Sequence, residues 1–258
     1  MTGTLLRSQE QINLSSQATS SISHDWSEDD VFYCPEESQF YSHCLERLVF
    51  NRCKSSDVVV EFGCGDGSPV INALLRTQFS GVIHGYELNP SAHAVAQSRV
   101  SHYQLNQKYT VHNRSFFEVD HSEAQYLIAN PPYLPALDNN ICMPLLHGGT
   151  DGATITNRLL TLNYPSAMML ISSYSNPVGT IAHALEQGYN VTDFMVTPLT
   201  FGYYSSEPKV RDQIAKLRGD RKAFYSNNLY FLAGVLFQKQ SITTADWSTE
   251  LIRILTAL

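Results

Sequence analysis

The stretch that most restricts the fold is Asp57-Val58-Val59-Val60-Glu61-Phe62, followed at once by Gly63-Cys64-Gly65-Asp66-Gly67 and Ser68-Pro69. The β-branched run predicts a strand. Ser68-Pro69 then predicts a helix that runs to about Phe79, with proline at home in its first turn. Strand, glycine loop and helix in this order make the first half of a dinucleotide-type unit. Glycines let the backbone approach a ligand closely, and the helix N-terminus offers unpaired N–H groups. A glycine triplet alone also serves tight strand-to-helix turns for purely steric reasons, so the segments that follow decide its meaning.

Those segments continue the alternation. Gly81-Val82-Ile83-His84-Gly85-Tyr86-Glu87 predicts a second strand. Glu87 falls about twenty residues past the glycine loop, where such folds place a carboxylate on a ribose diol. The bland alternative is a solvated acid at a strand end. Further strands are predicted at 109–112, 126–129, 165–171, 190–196 and 229–237. Helices are predicted at about 90–105, 153–162, 176–187 and 243–258. Upstream, Pro35-Glu36-Glu37-Ser38 suits the first turn of a helix reaching about Arg52, with Phe40, Cys44, Leu45 and Leu48 on its apolar stripe. Strands alternating with helices predict an α/β, Rossmann-like fold: a seven-stranded, mostly parallel sheet with helices on both faces. Residues 1–23, poor in large apolar groups, predict a flexible arm, and 24–258 a single domain.

Residues 201–228, between the last two strands, break the pattern. They hold Tyr203, Tyr204, Phe224 and Tyr225 among Lys209, Arg211, Lys216, Arg218, Arg221 and Lys222. Such an insertion reads as a functional lid that grips an acidic or aromatic substrate, or as a surface helix over 208–217 with solvated cations.

The fourth strand delivers Asn130-Pro131-Pro132-Tyr133. Two prolines cannot continue a strand ladder, and the residue before them is pushed to an extended backbone, which leaves the Asn130 amide at the strand's end. An amide oxygen, a proline carbonyl and the Tyr133 ring make a cradle for a planar nitrogen. Taken alone, the tetrapeptide reads first as a Pro-rich turn with an Asn for local hydrogen bonding.

Composition narrows the partners. Lys plus Arg number 17 against 24 Asp plus Glu, a net charge of −7, which argues against tight nonspecific binding to duplex nucleic acid. No uninterrupted apolar run reaches about 18 residues, so no membrane span is expected, and residues 1–23 lack the apolar core of a signal peptide. Five cysteines (Cys34, Cys44, Cys53, Cys64 and Cys142) lack CxxC spacing. They read as reduced thiols of a cytoplasmic protein, with neither a disulfide framework nor a metal site.

Taken in order, these segments resemble the class I S-adenosylmethionine-dependent methyltransferases, and within them the HemK/PrmC-type branch, which methylates the amide nitrogen of glutamine in translation release factors. The resemblance runs from about Val31 to Phe237. It implies S-adenosyl-L-methionine as cofactor, its methionine part cradled by Glu61, Gly63, Cys64, Gly65 and Gly67, and its ribose on Glu87. Asn130-Pro131-Pro132-Tyr133 is similar to the tetrapeptide of enzymes that methylate planar nitrogens, and it places Asn130 beside the cofactor as well. His147-Gly148-Gly149-Thr150-Asp151-Gly152 is similar to the glycine-rich turn that follows it, and Pro35-Glu36-Glu37-Ser38 to the segment that closes over the cofactor. Ser115 stands where the family carries an acid for the adenine amino group, which leaves adenine to Ser115, Phe116 and nearby main chain. About thirty residues precede the match, where PrmC-type enzymes have a docking domain. Some relatives use a small partner subunit instead, and a homo-oligomer is the other option.

The resemblance implies catalysis by orientation. Asn130 accepts one N–H of the acceptor through its side chain and the Pro131 carbonyl accepts another, while Pro132 and Tyr133 shape the slot and Tyr133 stacks on the substrate plane. No general base is required. Tyr33, Ser38, Tyr203 and Tyr204 are the candidate substrate contacts. The acceptor is expected to be a protein. The rivals are a small-molecule amide or amine, a nucleic-acid adenine flipped from its stack, and a cofactor-binding module without catalysis.

Overall fold

Val58–Phe62 (β1) is buried along its middle and pairs in parallel with Val82–Glu87 (β2) on one side and Tyr126–Ala129 (β4) on the other. In this computed structural model residues 31–240 and 245–258 are described. The arm expected at 1–23 and the start of the domain at 24–30 lie outside them. Tyr109–Asn113 (β3) lies beyond β2, and Ser166–Ser172 (β5) beyond β4. Tyr189–Thr200 (β6) and Leu229–Lys239 (β7) complete seven strands in the order β3-β2-β1-β4-β5-β7-β6. Among the described residues only β7 runs antiparallel, inserted between β5 and β6. The expected Rossmann-like, mostly parallel sheet is therefore present.

Helices cover both faces, as a parallel sheet requires. Pro35–Cys44 (α1), the π-helical turn Leu45–Phe50, Ser68–Arg76 (α2) and Pro208–Gly219 (α6) bury one set of side chains against one face. Pro90–His102 (α3) packs beside α2. Thr154–Leu160 (α4), Pro177–Glu186 (α5) and Ser248–Leu255 (α7) cover the other face. The helix that starts at Pro35 thus extends to Phe50 as expected, but its last six residues are π-helical, a local widening that the apolar stripe does not encode.

The 201–228 insertion spans the open end of the β6–β7 hairpin, whose ladder runs out to Thr200 opposite Leu229. It contains the helix expected near 208–217, and two of its cations, half-buried Arg211 and exposed Arg218, lie on aromatic rings. Arg211 lies over the Phe201 ring at 3.7 Å and the Tyr225 ring at 4.9 Å, and Arg218 lies over Tyr225 at 4.5 Å. These stacks pin α6 to its own flanking loop. Lys209 forms an ion pair with Asp138. All five cysteines are free thiols. Among the described residues no helix is long and apolar enough to cross a membrane.

One close approach fixes α1 to the sheet. A Cβ on Gly234, in β7, would lie 2.9 Å from Cys44 Cβ and closer still to its sulfur. Gly234→Ala is therefore expected to lower stability by about 1–3 kcal/mol, and Cys44→Ala in the same chain to restore part of that. Denaturant melts of the two single variants and the double variant check the coupling, which is absent if the two costs simply add.

Candidate active site

The strand order reverses between β1 and β4: the chain steps outward through β2 and β3 and then returns to pair β4 with β1. In open α/β sheets the crevice at the carboxyl ends of such a pair is where ligands bind. Here the register opposes Phe62 to Ala129 and Phe62 to Tyr86. The next residues on the three strands are Gly63, Asn130 and Glu87, so three motifs far apart in sequence meet along one edge. A cleft of about 400 Å³ opens there, lined by Glu61, Gly63, Cys64, Gly65, Glu87, Ser115, Phe116, Asn130, Pro131, Pro132 and Tyr133, among others. Tyr33, Ser38, Tyr203 and Tyr204 line it as well. Gly67 does not: it caps α2 with φ +73°, and a Cβ there would press on Ala96 of α3 at 3.2 Å. Its role is the steric one.

Gly63 and Gly65 have φ of +65° and +54°, and no atom stands within 4 Å of where their Cβ atoms would be. The loop thus holds a left-handed backbone that glycine favours, and it faces open space. Glu87 fastens the loop. Its carboxylate accepts the Gly65 N–H at 2.8 Å and the Asn89 N–H at 2.8 Å. Burial raises its pKa, and these N–H donors pull it back down. Behind the loop, buried Glu61 accepts a hydrogen bond from the Tyr109 hydroxyl at 2.6 Å and from Tyr41 at 3.4 Å. Burial pushes its carboxyl up to about 8, against the Tyr109 bond.

At the β4 end the Asn130 side chain is oriented by a residue 93 positions away. Asn130 Nδ2 donates to Glu37 Oε1 at 2.7 Å, and the Tyr133 hydroxyl also donates to the Glu37 carboxylate. Because a carboxylate only accepts, the amide nitrogen must face Glu37 and the oxygen must face away. That oxygen, Asn130 Oδ1, is buried and has no hydrogen-bond partner among the described residues. A buried acceptor without a donor costs about 1–3 kcal/mol and calls for an explanation. Burial raises the Glu37 pKa, while the Tyr133 and Asn130 donors act in the opposite direction.

The glycine turn after the tetrapeptide buttresses it. Gly148 N–H donates to Leu134 O at 2.9 Å, and any Cβ on Gly148 would lie 2.6 Å from Tyr133 Cα. Ser175 Oγ donates to Tyr133 O at 2.7 Å. Tyr133 is consequently a fixed wall, tilted against Tyr174 at 5.8 Å with its hydroxyl on Glu37, rather than a free stacking platform. Phe116 lies flat on His121 at 4.3 Å and edge-on to Phe62 and Tyr86, and Ser115 beside it is buried.

Glu37, Tyr41, Tyr109 and Arg114 were not singled out from the sequence as site residues. Glu37 was legible as a first-turn acid of α1 and, through the resemblance, as part of the segment that closes over the cofactor. Its inward direction follows from the docking of α1 and carries no local signal.

The carboxylates lining the cleft are Glu36, Glu37, Glu61, Asp66 and Glu87, against Arg114 as the cationic side chain. Asp66 is paired to Arg99. The site therefore favours a ligand that brings positive charge and hydroxyl donors, and S-adenosyl-L-methionine, with its sulfonium, ammonium and ribose diol, has that character.

No protein-family model matches the chain, and no curated protein matches it. Among solved structures, an inferred RNA methyltransferase of Pyrococcus horikoshii aligns with 80% of this chain and 84% of its own, at 15% identity and a TM-score of 0.53. The [4+2]-cyclase SpnF aligns over 85% and 87%, at 12% identity and a TM-score of 0.50. At such identities the likeness shows the methyltransferase-type fold, and a cyclase on that fold shows that the reaction must be argued from the site.

The Glu61 carboxyl gives a pH test. Its usual pKa of 4.5 rises to about 8 in the folded chain, so the folded form holds the proton more tightly than the unfolded one. Its contribution to stability is full below pH 4.5 and is lost as pH rises through about 8. Urea melts at pH 5, 7 and 9 are expected to show a decline that Glu61→Gln flattens. An unchanged decline in the variant would assign it to other groups.

Proposed function

We propose that this chain is an S-adenosyl-L-methionine-dependent methyltransferase acting on a planar nitrogen, in the manner of the HemK-like enzymes that methylate a glutamine amide of a protein. The observation that carries the reading is the unpaired Asn130 Oδ1. An amide held by Glu37 with its oxygen unpaired beside an acid-lined glycine loop is a waiting acceptor for one N–H of a substrate. When bound, the cofactor supplies an electrophilic methyl group on a sulfonium centre.

The chain's own residues then do three things. Glu61, Glu87 and the Gly63–Gly65 turn hold a cationic, diol-bearing ligand, with Ser115 and Phe116 at the β3 end of the cleft for its base. Asn130 Oδ1 and the Pro131 carbonyl accept the two N–H bonds of the acceptor nitrogen, which turns its lone pair away from conjugation and stabilises positive charge as that nitrogen gains a methyl group. Pro132 and Tyr133 wall the slot and exclude water. As the N–C bond forms, the nitrogen becomes acidic, and its proton passes to solvent as the product leaves the slot, so no side chain need act as base. Residues 202–205 form the outer rim as a partial lid, and the rest of the 201–228 insertion braces it.

A small-molecule amide or amine is the second reading, favoured by the largely aromatic walls of the cleft. A nucleic-acid adenine fits less well, since the −7 net charge repels a polyanion.

Asn130→Ala is expected to lower methyl transfer by about 100-fold or more, while S-adenosyl-L-methionine binding by calorimetry stays within about threefold. Incubation with radiolabelled cofactor and cell extract measures the first and shows whether label enters protein or metabolites. Equal loss of binding and transfer would make Asn130 a structural residue. Glu37→Ala frees the amide to rotate and is expected to lower kcat about tenfold, again with cofactor affinity kept. An unchanged kcat would remove Glu37 from the orienting role.

A further inference from the structure

The acceptor end of the cleft is built from aromatic rings and carboxylates. Tyr33 and Tyr203 are 75% and 76% exposed, which is unusual for large side chains at a cleft mouth. The Phe32 and Tyr204 rings lie 5.6 Å apart, and Tyr203 meets Tyr204 edge-on at 5.3 Å, so these three rings form one continuous rim, and Tyr33 lines the same cleft. Carboxylates surround it. Glu36 and Glu37 line the same cleft, and Glu207 is close enough to Tyr203 for its charge to raise the phenol's pKa, after the larger effect of Cys142. Glu207 is fixed in place by the Cys142 N–H at 2.7 Å.

Cations are withheld from this end. Arg114, the cationic side chain of the lining, sits over the Tyr86 ring at 5.8 Å, on the β2–β3 side. Lys209, which follows the rim in sequence, is bonded to Asp138 and to Asn140 O. Arg211 and Arg218 are stacked on Phe201 and Tyr225. A phosphate at the mouth would thus meet ring faces and carboxylates, while Lys209 is bonded to Asp138 and Arg211 and Arg218 lie on rings. An organic cation meets the negative faces of the rings and the carboxylates together, which is the chemistry of an aromatic cage.

We propose that the methyl acceptor carries an alkylammonium group next to the nitrogen that is methylated, and that this group seats among Phe32, Tyr33, Tyr203 and Tyr204. This rests on the methyltransferase reading and adds a substrate class to it. The cation is not the reacting atom: the nitrogen at Asn130 must keep its lone pair, so the acceptor has two nitrogens with separate roles. A lysine side chain in a peptide and a free aliphatic amine both supply that chemistry.

The test titrates the full chain, with and without S-adenosylhomocysteine, while the aromatic resonances of its tyrosines are followed by NMR. Choline, its neutral isostere 3,3-dimethylbutan-1-ol, and the peptides acetyl-Gly-Lys-Gly-amide and acetyl-Gly-Glu-Gly-amide are the probes. At least one cationic probe is expected to bind about fivefold or more tightly than its neutral or anionic counterpart. Which of the two does so separates the peptide from the free amine. Tyr203→Ala and Glu207→Gln, each alone, are expected to reduce that preference without altering affinity for S-adenosylhomocysteine. Equal binding of charged and uncharged probes, or a preference that survives both substitutions, would overturn the proposal. Failure of S-adenosylhomocysteine itself to bind would instead overturn the cofactor reading, and the probe preference in the ligand-free chain is measured independently of it.

Discussion

The pairing of β1 with β4 at the point where the strand order reverses is the constraint on which the rest of the site depends. Setting Phe62 opposite Ala129 leaves the glycine loop and Asn130 as neighbours on the same edge. Neither motif has its proposed chemistry without the other. The glycine loop alone is a steric turn, and Asn130-Pro131-Pro132-Tyr133 alone is a Pro-rich bend. The sheet supplies their adjacency through backbone hydrogen bonds, which are insensitive to side-chain identity, so the geometry can persist on a fold shared with proteins of very different sequence.

Side chains then refine that edge through buried carboxylates held by different donors. Glu87 is held by main-chain N–H groups, Glu61 by tyrosine hydroxyls, and Glu37 by an amide and a tyrosine hydroxyl. Among the described residues no lysine or arginine forms an ion pair with any of these three. Dipoles rather than a salt bridge hold them, so a cation that enters the cleft would draw these carboxyls, Glu61 at about 8 among them, toward the charged form. The cost is raised carboxyl pKa values in the ligand-free chain, carried by a fold whose core is otherwise apolar and closely packed. Such a trade is common where a binding site is prepared for charge.

Much of this was legible in the chain itself because parallel α/β sheets write their strands as short apolar runs punctuated by glycine and proline. The glycine loop, Glu87 and Asn130 each sit at a strand end, where a single residue marks the boundary. What was not legible depends on contacts far apart in sequence. Glu37 reaches Asn130 across 93 positions, and Tyr109 reaches Glu61 across 48. The cations of 201–228 looked free because nothing local says that Arg211 and Arg218 stack on Phe201 and Tyr225. Gly67 shares the loop's spacing with Gly63 and Gly65, yet α3 packs behind it and makes its role steric. β6 continues past the expected Val196 to Thr200 because β7 offers it a ladder, which is a tertiary cause.

The central claim, that the reversed strand edge holds S-adenosyl-L-methionine with Asn130 at its side, is tested most directly by backbone amide NMR of the full chain as that ligand is added. Saturable shifts concentrated at Gly63, Gly65, Glu87, Ser115, Phe116 and Asn130, largest where the Gly65 N–H meets Glu87, are the expected result. No saturable shift, or shifts confined to residues away from this edge, would contradict it.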